Sequence, residues 1–313
     1  MTVSSANLTR LLDNRLREVT EAKYNAPRKM RYELMKTINS ESAFEEFYDM
    51  GSVSDPIEFN GKVTYVDIAP QFHTKVEHKE YALGVQYERK LIDDKKYAVL
   101  DDKAGQLAEA ADRLCEKLAV RPFGYAFSSA FDFMTSEEGV ALCSSSHTNK
   151  SGTSTSSGFD NAGTYALSKT NVALTRIAMK QFRDNNSQRI DVGNELALIV
   201  PEEQADEAWE IVGQTPVGGG SSALDPENAN NTINSEYKRY RVITYPRLSD
   251  IDTNNWFMVW EPQMKKDLMW FDRIKPEFKN TIDFDTYTFK TATYFRCSYG
   301  FRDWRWIYGN QVS

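Results

Sequence analysis

EYALGVQYERKLIDDKKYAVLDDKAGQLAEAADRLCEKLAVRP, residues 80–122, changes period part-way along, and that change decides the architecture. Tyr81, Leu83, Val85 and Tyr87 alternate with Ala82, Gly84, Gln86 and Glu88, the period of a strand with two different faces. From about Asp93 the apolar positions become Leu100, Ala104, Leu107, Ala111, Leu114 and Leu118, spaced four, three, four, three and four, which is one stripe of a helix. Pro122 interrupts it. A helix from about Asp93 to Pro122 would run on the order of 40 Å at 1.5 Å per residue. Two alanines in a single short run argue for one long helix on a sheet rather than a coiled coil.

Upstream, IEFNGKVTYVDI (57–68) also alternates, and Asn60-Gly61 is a turn dipeptide suited to positive φ. Together with 80–90 it predicts a long two-stranded ribbon between Gly51 and Asp94, rich in charge and short of helix to cover it. An isolated ribbon is marginal in water, so this one requires a surface to lie on, and a neighbouring subunit can supply it. Residues 1–36 form an arm in which Leu8, Leu12, Leu16 and Val19 keep helical spacing. The arm holds eight basic residues against four acids, a charge of +4, while the 313-residue chain carries −7, leaving −11 elsewhere. Such an arm suits acidic partners or packaged nucleic acid; a solvated amphipathic helix has the same composition.

Downstream, 144–164 and 213–235 are Ser/Thr/Gly/Asn loops. Between them Ser168 can cap a helix with apolar positions Leu174, Ile177, Ala178 and Phe182, LALIV (196–200) reads as a buried strand, and Pro201 opens a helix that Gly213 stops. YRVITYP and WFMVWEP supply two more strands. Five of the six tryptophans follow residue 250, and in 289–309 Phe295, Cys297, Tyr299 and Phe301 alternate with Arg296, Ser298, Gly300 and Arg302, with Trp304, Trp306 and Tyr308 continuing the period. A half-buried sheet accounts for this better than a base-stacking platform, because the net charge is acidic.

The acidic balance disfavours DNA binding as the main task, and no apolar run approaches the roughly 20 residues of a membrane span. No basic segment leads into an apolar one at the start, so residence inside a cell is expected. Cys115, Cys143 and Cys297 lack paired spacing and read as reduced, buried thiols. Nucleotide-binding, serine hydrolase and zincin motifs are missing. His73 and His78 are five apart, which sends them to opposite faces of a strand, and Cys143 with His147 has no second pair, so no metal is expected. Asp250, Asp252, Asn254 and Glu261 mimic a calcium loop, but the sixth position is Asn255 rather than glycine and the flanks are strands. Acid doublets such as Asp93-Asp94, Asp101-Asp102, Glu137-Glu138 and Glu202-Glu203, with the tryptophans, leave one enzymatic reading, a carbohydrate-active hydrolase. No catalytic residue and no cofactor follows from the residues.

The order of parts, carried by ALCSSSHTNKSGT (141–153), YALSKTNVAL (165–174), NELALIVPEEQADEAWEIVGQ (194–214), YRVITYPRLSDIDTNNWFMVWEP (240–262) and FKTATYFRCSYGFRDWRWIYG (289–309), resembles the major capsid proteins of tailed phages with the Hong Kong ninety-seven-type fold. The resemblance covers about residues 40–310 and is nearest to the Mu-like branch, where a Ser-rich stretch ending in His precedes an Ala-Leu-Ser helix start. Thr148 departs from it, many relatives having proline there. The resemblance implies an α+β phage capsid fold with an N-terminal arm (1–50), an extended β-hairpin loop (51–94), a peripheral domain with spine helix and connecting loop (93–164), an axial α/β domain (165–261) and a returning peripheral-domain sheet (262–313).

It also implies a subunit that assembles into hexamers and pentamers of an icosahedral head shell around double-stranded DNA, in the virion and, during assembly, the host cytoplasm. Its partners would be itself, a scaffolding protein, portal and decoration proteins, and packaged DNA touched non-specifically, with no membrane. No scaffolding-length extension precedes the arm, so a separate scaffold or a removed pro-segment is expected. Asn60, Gly61, Lys62, Tyr65, Tyr81, Tyr87 and Arg89 of the extended loop are the expected inter-subunit residues, and Arg10, Arg15 and Arg17 the basic face of the arm. Some relatives cross-link a loop lysine to an asparagine, for which Lys62 is the candidate position. An encapsulin-like cellular compartment shares the fold and is the alternative within it.

Overall fold

The computed structural model describes residues 5–25, 29–63, 65, 66, 68, 70–94, 96–213, 234–283, 285, 286 and 288–312. In chain order these carry helices α1 (Ser5–Asn25) and α2 (Met30–Leu34), then strands β1 (Lys36–Asn39), β2 (Phe44–Met50), β3 (Pro70–Glu77) and β4 (Lys79–Glu88). Helices α3 (Arg89–Asp93), α4 (Tyr97–Ala119) and α5 (Arg121–Gly124) follow, with strands β5 (Met134–Ser136) and β6 (Ala162–Gly163). Helix α6 (Lys169–Met179), strand β7 (Leu196–Val200), helix α7 (Ala205–Val212), strands β8 (Arg241–Thr244) and β9 (Trp256–Trp260) and helix α8 (Glu261–Asp267) lead to strands β10 (Leu268–Ile282), β11 (Thr288–Phe301) and β12 (Ile307–Asn310). Most of the 213–235 loop lies outside the described residues.

The long helix forms as its stripe predicts. Leu100, Ala104, Leu107, Ala111 and Leu118 of α4 are buried, and Leu114 packs against the core from a partly buried position. Its 23 residues give about 35 Å, because Arg89–Asp93 make a separate short helix. The helix lies on the sheet ordered β1-β10-β11-β4, touching β11 and β4. Pro122 ends the spine and starts α5, which drives Phe123 edge-on against Tyr245, Phe257 and Trp306. Phe123 thereby packs the end of the spine against the five-stranded sheet, ordered β6-β12-β9-β7-β8, and residues of both sheets share a single core.

The arm is fastened to the spine by buried charge. Arg31 is 1% exposed, and its Nη1 donates to Asp112 Oδ1 at 2.9 Å and Glu116 Oε1 at 2.6 Å, both on α4. Lys29 Nζ adds a second cation 3.3 Å from Asp112, so two positive groups face two negative ones. The guanidinium also lies 4.6 Å from the Tyr32 ring centre and 5.8 Å from that of Trp270 on β10. Arm, spine and sheet therefore meet at one side chain. Further along, Leu16 of α1 is buried with Leu100, Ala104, Tyr87 and Phe289.

β10 and β11 pair antiparallel over most of their length, while β1 covers β10 only from Met269 to Asp272. Beyond that the outer edge of β10 carries Lys275, Pro276, Glu277 and Lys279, and two register shifts fall between Asp272 and Glu277. Proline, charge and bulges are what keep an open edge from recruiting another strand.

Three expectations are corrected. β4 joins β11 through ten paired residues and β3 pairs with β2 and β5, so residues 51–94 are not one hairpin. The hairpin is β2 with β3, and the described residues of 51–69 form its long connection without a strand. The turn at Asn60-Gly61 does occur, with Gly61 at φ +88°. The alternation of 57–68 was sufficient for a strand, but a strand needs a ladder partner, and β4 had taken β11 in order to lay Val85 and Tyr87 under the helices. Second, 262–313 is not one returning sheet, since Ile307–Asn310 pairs with β9 and β6. Asp303 turns the chain, accepting from Trp304 N at 2.7 Å through Oδ1 and from Trp306 Nε1 at 2.7 Å through its carbonyl.

Third, α6 is capped as expected by Ser168 Oγ, which accepts from Asn171 N at 3.2 Å, but it is rotated about its axis. It buries Val172, Thr175 and Met179 and leaves Leu174 and Ile177 45% and 47% exposed. The Thr175 hydroxyl faces the sheet because it accepts from Asn310 Nδ2 at 3.2 Å. Pro201, a three-residue turn of helix and α7 follow β7 as read, and Gly213 closes α7 at φ +68°.

Two outcomes follow from the buried charges. Arg31→Ala leaves Asp112 and Glu116 uncompensated and is expected to cost about 3–5 kcal/mol of unfolding stability, measured by denaturant titration. Asp267, fully buried where α8 meets β10, has its carboxyl pushed up to about 6 by burial and by Asp303, against the opposing pull of Gln263 and Arg302. The folded chain thus holds a proton that the unfolded chain releases over roughly pH 4 to 6, and stability falls as pH rises through that window. The melting temperature of the native protein relative to Asp267→Asn is expected to drop from about pH 4 to about pH 7, and a pH-independent difference would refute the assignment.

Candidate functional site

The apolar residues that fail to reach the core concentrate in the 51–69 connection. Val53, Ile57, Phe59, Val63, Tyr65, Val66 and Ile68 are 44–89% exposed, Tyr65 the most. Large apolar side chains exposed this densely within one segment mark an interaction surface rather than ordinary surface scatter. Asn60, Gly61 and Lys62 are exposed at its turn.

The segment is anchored at its base. Asn186 Nδ2 donates to Ser52 O at 2.5 Å, Asn185 Nδ2 to Asp49 Oδ2 at 3.4 Å, and Lys150 N to Gln71 Oε1 at 3.0 Å. Asn185 is the hub. Its carbonyl accepts from Thr153 Oγ1 at 2.9 Å and from Ser151 Oγ, and its Oδ1 from Arg305 Nη2 at 2.8 Å. Burial and Asp303 raise the Asp49 carboxyl above its ordinary value, with Asn185 and Arg305 opposing. Behind the hub is a cavity of about 40 Å³ lined by Asp49, Gln71, Glu138, His147, Asn185 and Asp303 among others, room for a water or two but not for a sugar ring.

The expected site residues separate into two groups. Asn60, Gly61, Lys62 and Tyr65 lie on the exposed segment. Tyr81 and Tyr87 belong to the subunit's own sheet, Tyr81 stacked on Phe295 at 5.4 Å and Tyr87 only 5% exposed against Phe289. Arg89 opens α3 and lies 3.5 Å from Asp93. In the arm, Arg15 reaches Asp101 of α4 at 2.6 Å and Arg17 Glu21 at 2.8 Å, while Arg10 stands in α1 ahead of them.

The residues weighed for other chemistry have structural partners. His78 bridges Ser40 and Ser298 at 3.0 and 2.8 Å, while His73 stacks on Tyr48 at the hairpin surface. His147 lies flat on Trp304, 4.2 Å between ring centres, with Nδ1 3.1 Å from Glu138. Thr148 N donates to Glu138 Oε1 at 2.9 Å, a bond that proline at this position could not make. Asp252 Oδ1 accepts from Asn254 N and Asn255 N at 2.8 and 2.9 Å, and Glu261 pairs with Arg241, so the calcium-like pattern is a turn. Trp256, Trp270, Trp304 and Trp306 are core residues rather than sugar platforms. Cys115, Cys143 and Cys297 are free and buried, and burial pushes the Cys143 thiol up. Among the described residues no His, Cys, Asp and Glu cluster could hold a metal, and no helix is long and apolar enough to cross a membrane.

The Asn185 hub was not anticipated. Its signal was the Asp184-Asn185-Asn186-Ser187 run, a turn composition whose side chains also bond to other segments.

Residues 74–310 match the family described as phage capsid protein. Similar solved structures include the mature capsid of bacteriophage PhiM1, 10% identical with a TM-score of 0.57, covering 92% of this chain and 88% of that one. The capsid of the cyanophage P-SCSP1u is 8% identical with a TM-score of 0.55, covering 90% and 86%. The procapsid of bacteriophage JBD30 is 12% identical with a TM-score of 0.52, covering 99% and 77%. No curated protein matches the sequence.

Because Ile57 and Tyr65 touch solvent and Asn185 is buried, their substitutions should diverge. Ile57→Ser with Tyr65→Ser is expected to shift unfolding of the unassembled protein by no more than about 0.5 kcal/mol. Asn185→Ala should cost about 1–3 kcal/mol by leaving Arg305 and Asp49 short of partners, and should speed hydrogen exchange in β2 and β3.

Proposed function

From the premise that this chain belongs to the phage capsid protein family, we propose that it is the major subunit of a tailed-phage head, closing as hexamers and pentamers around double-stranded DNA. It is a shell-forming structural subunit of α+β capsid fold and a component of the virion capsid. The observation that carries the reading is the 51–69 segment: seven large apolar side chains held away from their own core, on a hairpin base tied down by Asn185 and Asn186. Surface of this kind is stable in water once a second subunit covers it. Structures of assembled capsids share this fold, which supports self-association.

The finer features follow as part of the same proposal. The Ser-rich stretch ending in His147 and the Ala-Leu-Ser helix start support the Mu-like branch. A scaffolding protein, a portal and decoration proteins are the proposed partners, and assembly takes place in the host cytoplasm. DNA contact through the arm rests on its excess of basic residues, reduced because Arg15 is held by Asp101. The subunit has a structural rather than catalytic role; the burial of Trp256, Trp270, Trp304 and Trp306 disfavours the hydrolase reading.

Size-exclusion chromatography of the full chain with electron microscopy of each fraction, at low and moderate salt, tests the proposal. Rings, tubes or closed shells are expected from the native chain, and Ile57→Ser with Tyr65→Ser should lower the assembled fraction at least tenfold. A compact monomer whose 51–69 segment resists protease would overturn it.

A further inference from the structure

The rotation of α6 leaves a second apolar surface, remote in sequence from 51–69. Leu174 and Ile177 lie on neighbouring turns of one helix, 45% and 47% exposed, with Tyr165 46% exposed just ahead of them. Positive charge gathers around the lower end of this helix. Lys180 caps it, donating to Gly193 O at 2.9 Å and to Val192 O, and burial first, then Arg176, Arg189 and Arg239, hold its ammonium below the ordinary value. Glu236 and Asp191 are the carboxylates facing this group.

α7 has the opposite character. From Pro201 to Gly213 there is no Lys or Arg, and Glu202, Glu203, Asp206 and Glu210 are exposed, with Trp209 half-buried among them. Self-pairing of α6 across a two-fold axis would cover Leu174 and Ile177 but bring two basic clusters together, at a like-charge cost. A head-to-tail contact brings unlike charges together and can repeat around a ring until it closes.

We propose that α6 of one subunit docks on α7 of the next subunit in the same ring, Leu174 and Ile177 packing toward Trp209 and the basic cluster facing the acidic helix. The occupant is a second copy of this chain, and the contact rests on the shell reading above. It differs from the 51–69 surface in being heterologous by charge as well as by shape, so it sets the direction in which subunits follow one another.

Particles assembled from the full chain carrying Ile177→Cys with Asp206→Cys, treated with a bis-maleimide spanning about 10 Å, test it directly; the native cysteines are buried and give little background. A ladder extending beyond dimers is expected from the double variant and none from either single one. Dimers from Ile177→Cys alone would show α6 self-pairing, and cross-linking of Ile177→Cys to Lys62→Cys in a second double variant would show the 51–69 segment as the occupant; either overturns the contact. Ile177→Glu supplies a second readout, an assembly threshold raised at least tenfold with an unchanged melting temperature of the unassembled chain. Native assembly with an unmoved Ile177→Glu threshold sinks this contact alone, whereas a native chain that never self-associates sinks the shell reading with it.

Discussion

The guanidinium of Arg31 is the point on which the peripheral part of the molecule turns. An arginine 1% exposed is costly to bury, and it is tolerated because Asp112 and Glu116 sit four residues apart on one face of α4, where one nitrogen can reach both. The aromatic rings of Tyr32 and Trp270 complete the enclosure. Since Asp112 and Glu116 belong to the spine, Trp270 to β10 and Arg31 to the arm, the three can take only one mutual arrangement without stranding a charge. The direction of the spine fixes in turn the position of Pro122 and Phe123, and so how the second sheet is set against the first.

That rigidity contrasts with 51–69. The body gathers most of its large apolar side chains into one core, whereas the extended segment leaves its own in solvent. Asn185 and Asn186 hold its start, at Asp49 and Ser52, and the Lys150 amide holds its end, at Gln71. The result is a rigid base carrying a surface that remains unfinished within one subunit, which is how a chain can be both stable alone and driven to associate.

Legibility followed locality. The spine helix, its stop at Pro122, the Ser168 cap, the buried LALIV strand and the Asn60-Gly61 turn were all readable, because each depends on neighbours within a few residues. Strand partners were not. Nothing in 57–68 distinguishes a strand with a partner from one without, and nothing in 80–90 says that β4 pairs with β11 more than two hundred residues later. The face of α6 was misread for a related reason: Thr175 is turned inward by Asn310, which only the assembled sheet brings near. At the candidate site the positive-φ glycine of Asn60-Gly61 was legible from its own residues, whereas the burial of Tyr87 was not, because a period of two identifies two faces without naming which one is wet.

The outer edge of β10 has a consequence for what the protein can become. A subunit with exposed apolar side chains and an open strand has two ways to polymerise, sideways through surfaces or endlessly through backbone ladders. Lys275, Pro276, Glu277 and Lys279, with the register shifts beside them, spoil the ladder without touching the surfaces. An interrupted strand of this kind leaves association to the side-chain surfaces and closes the route to a fibre.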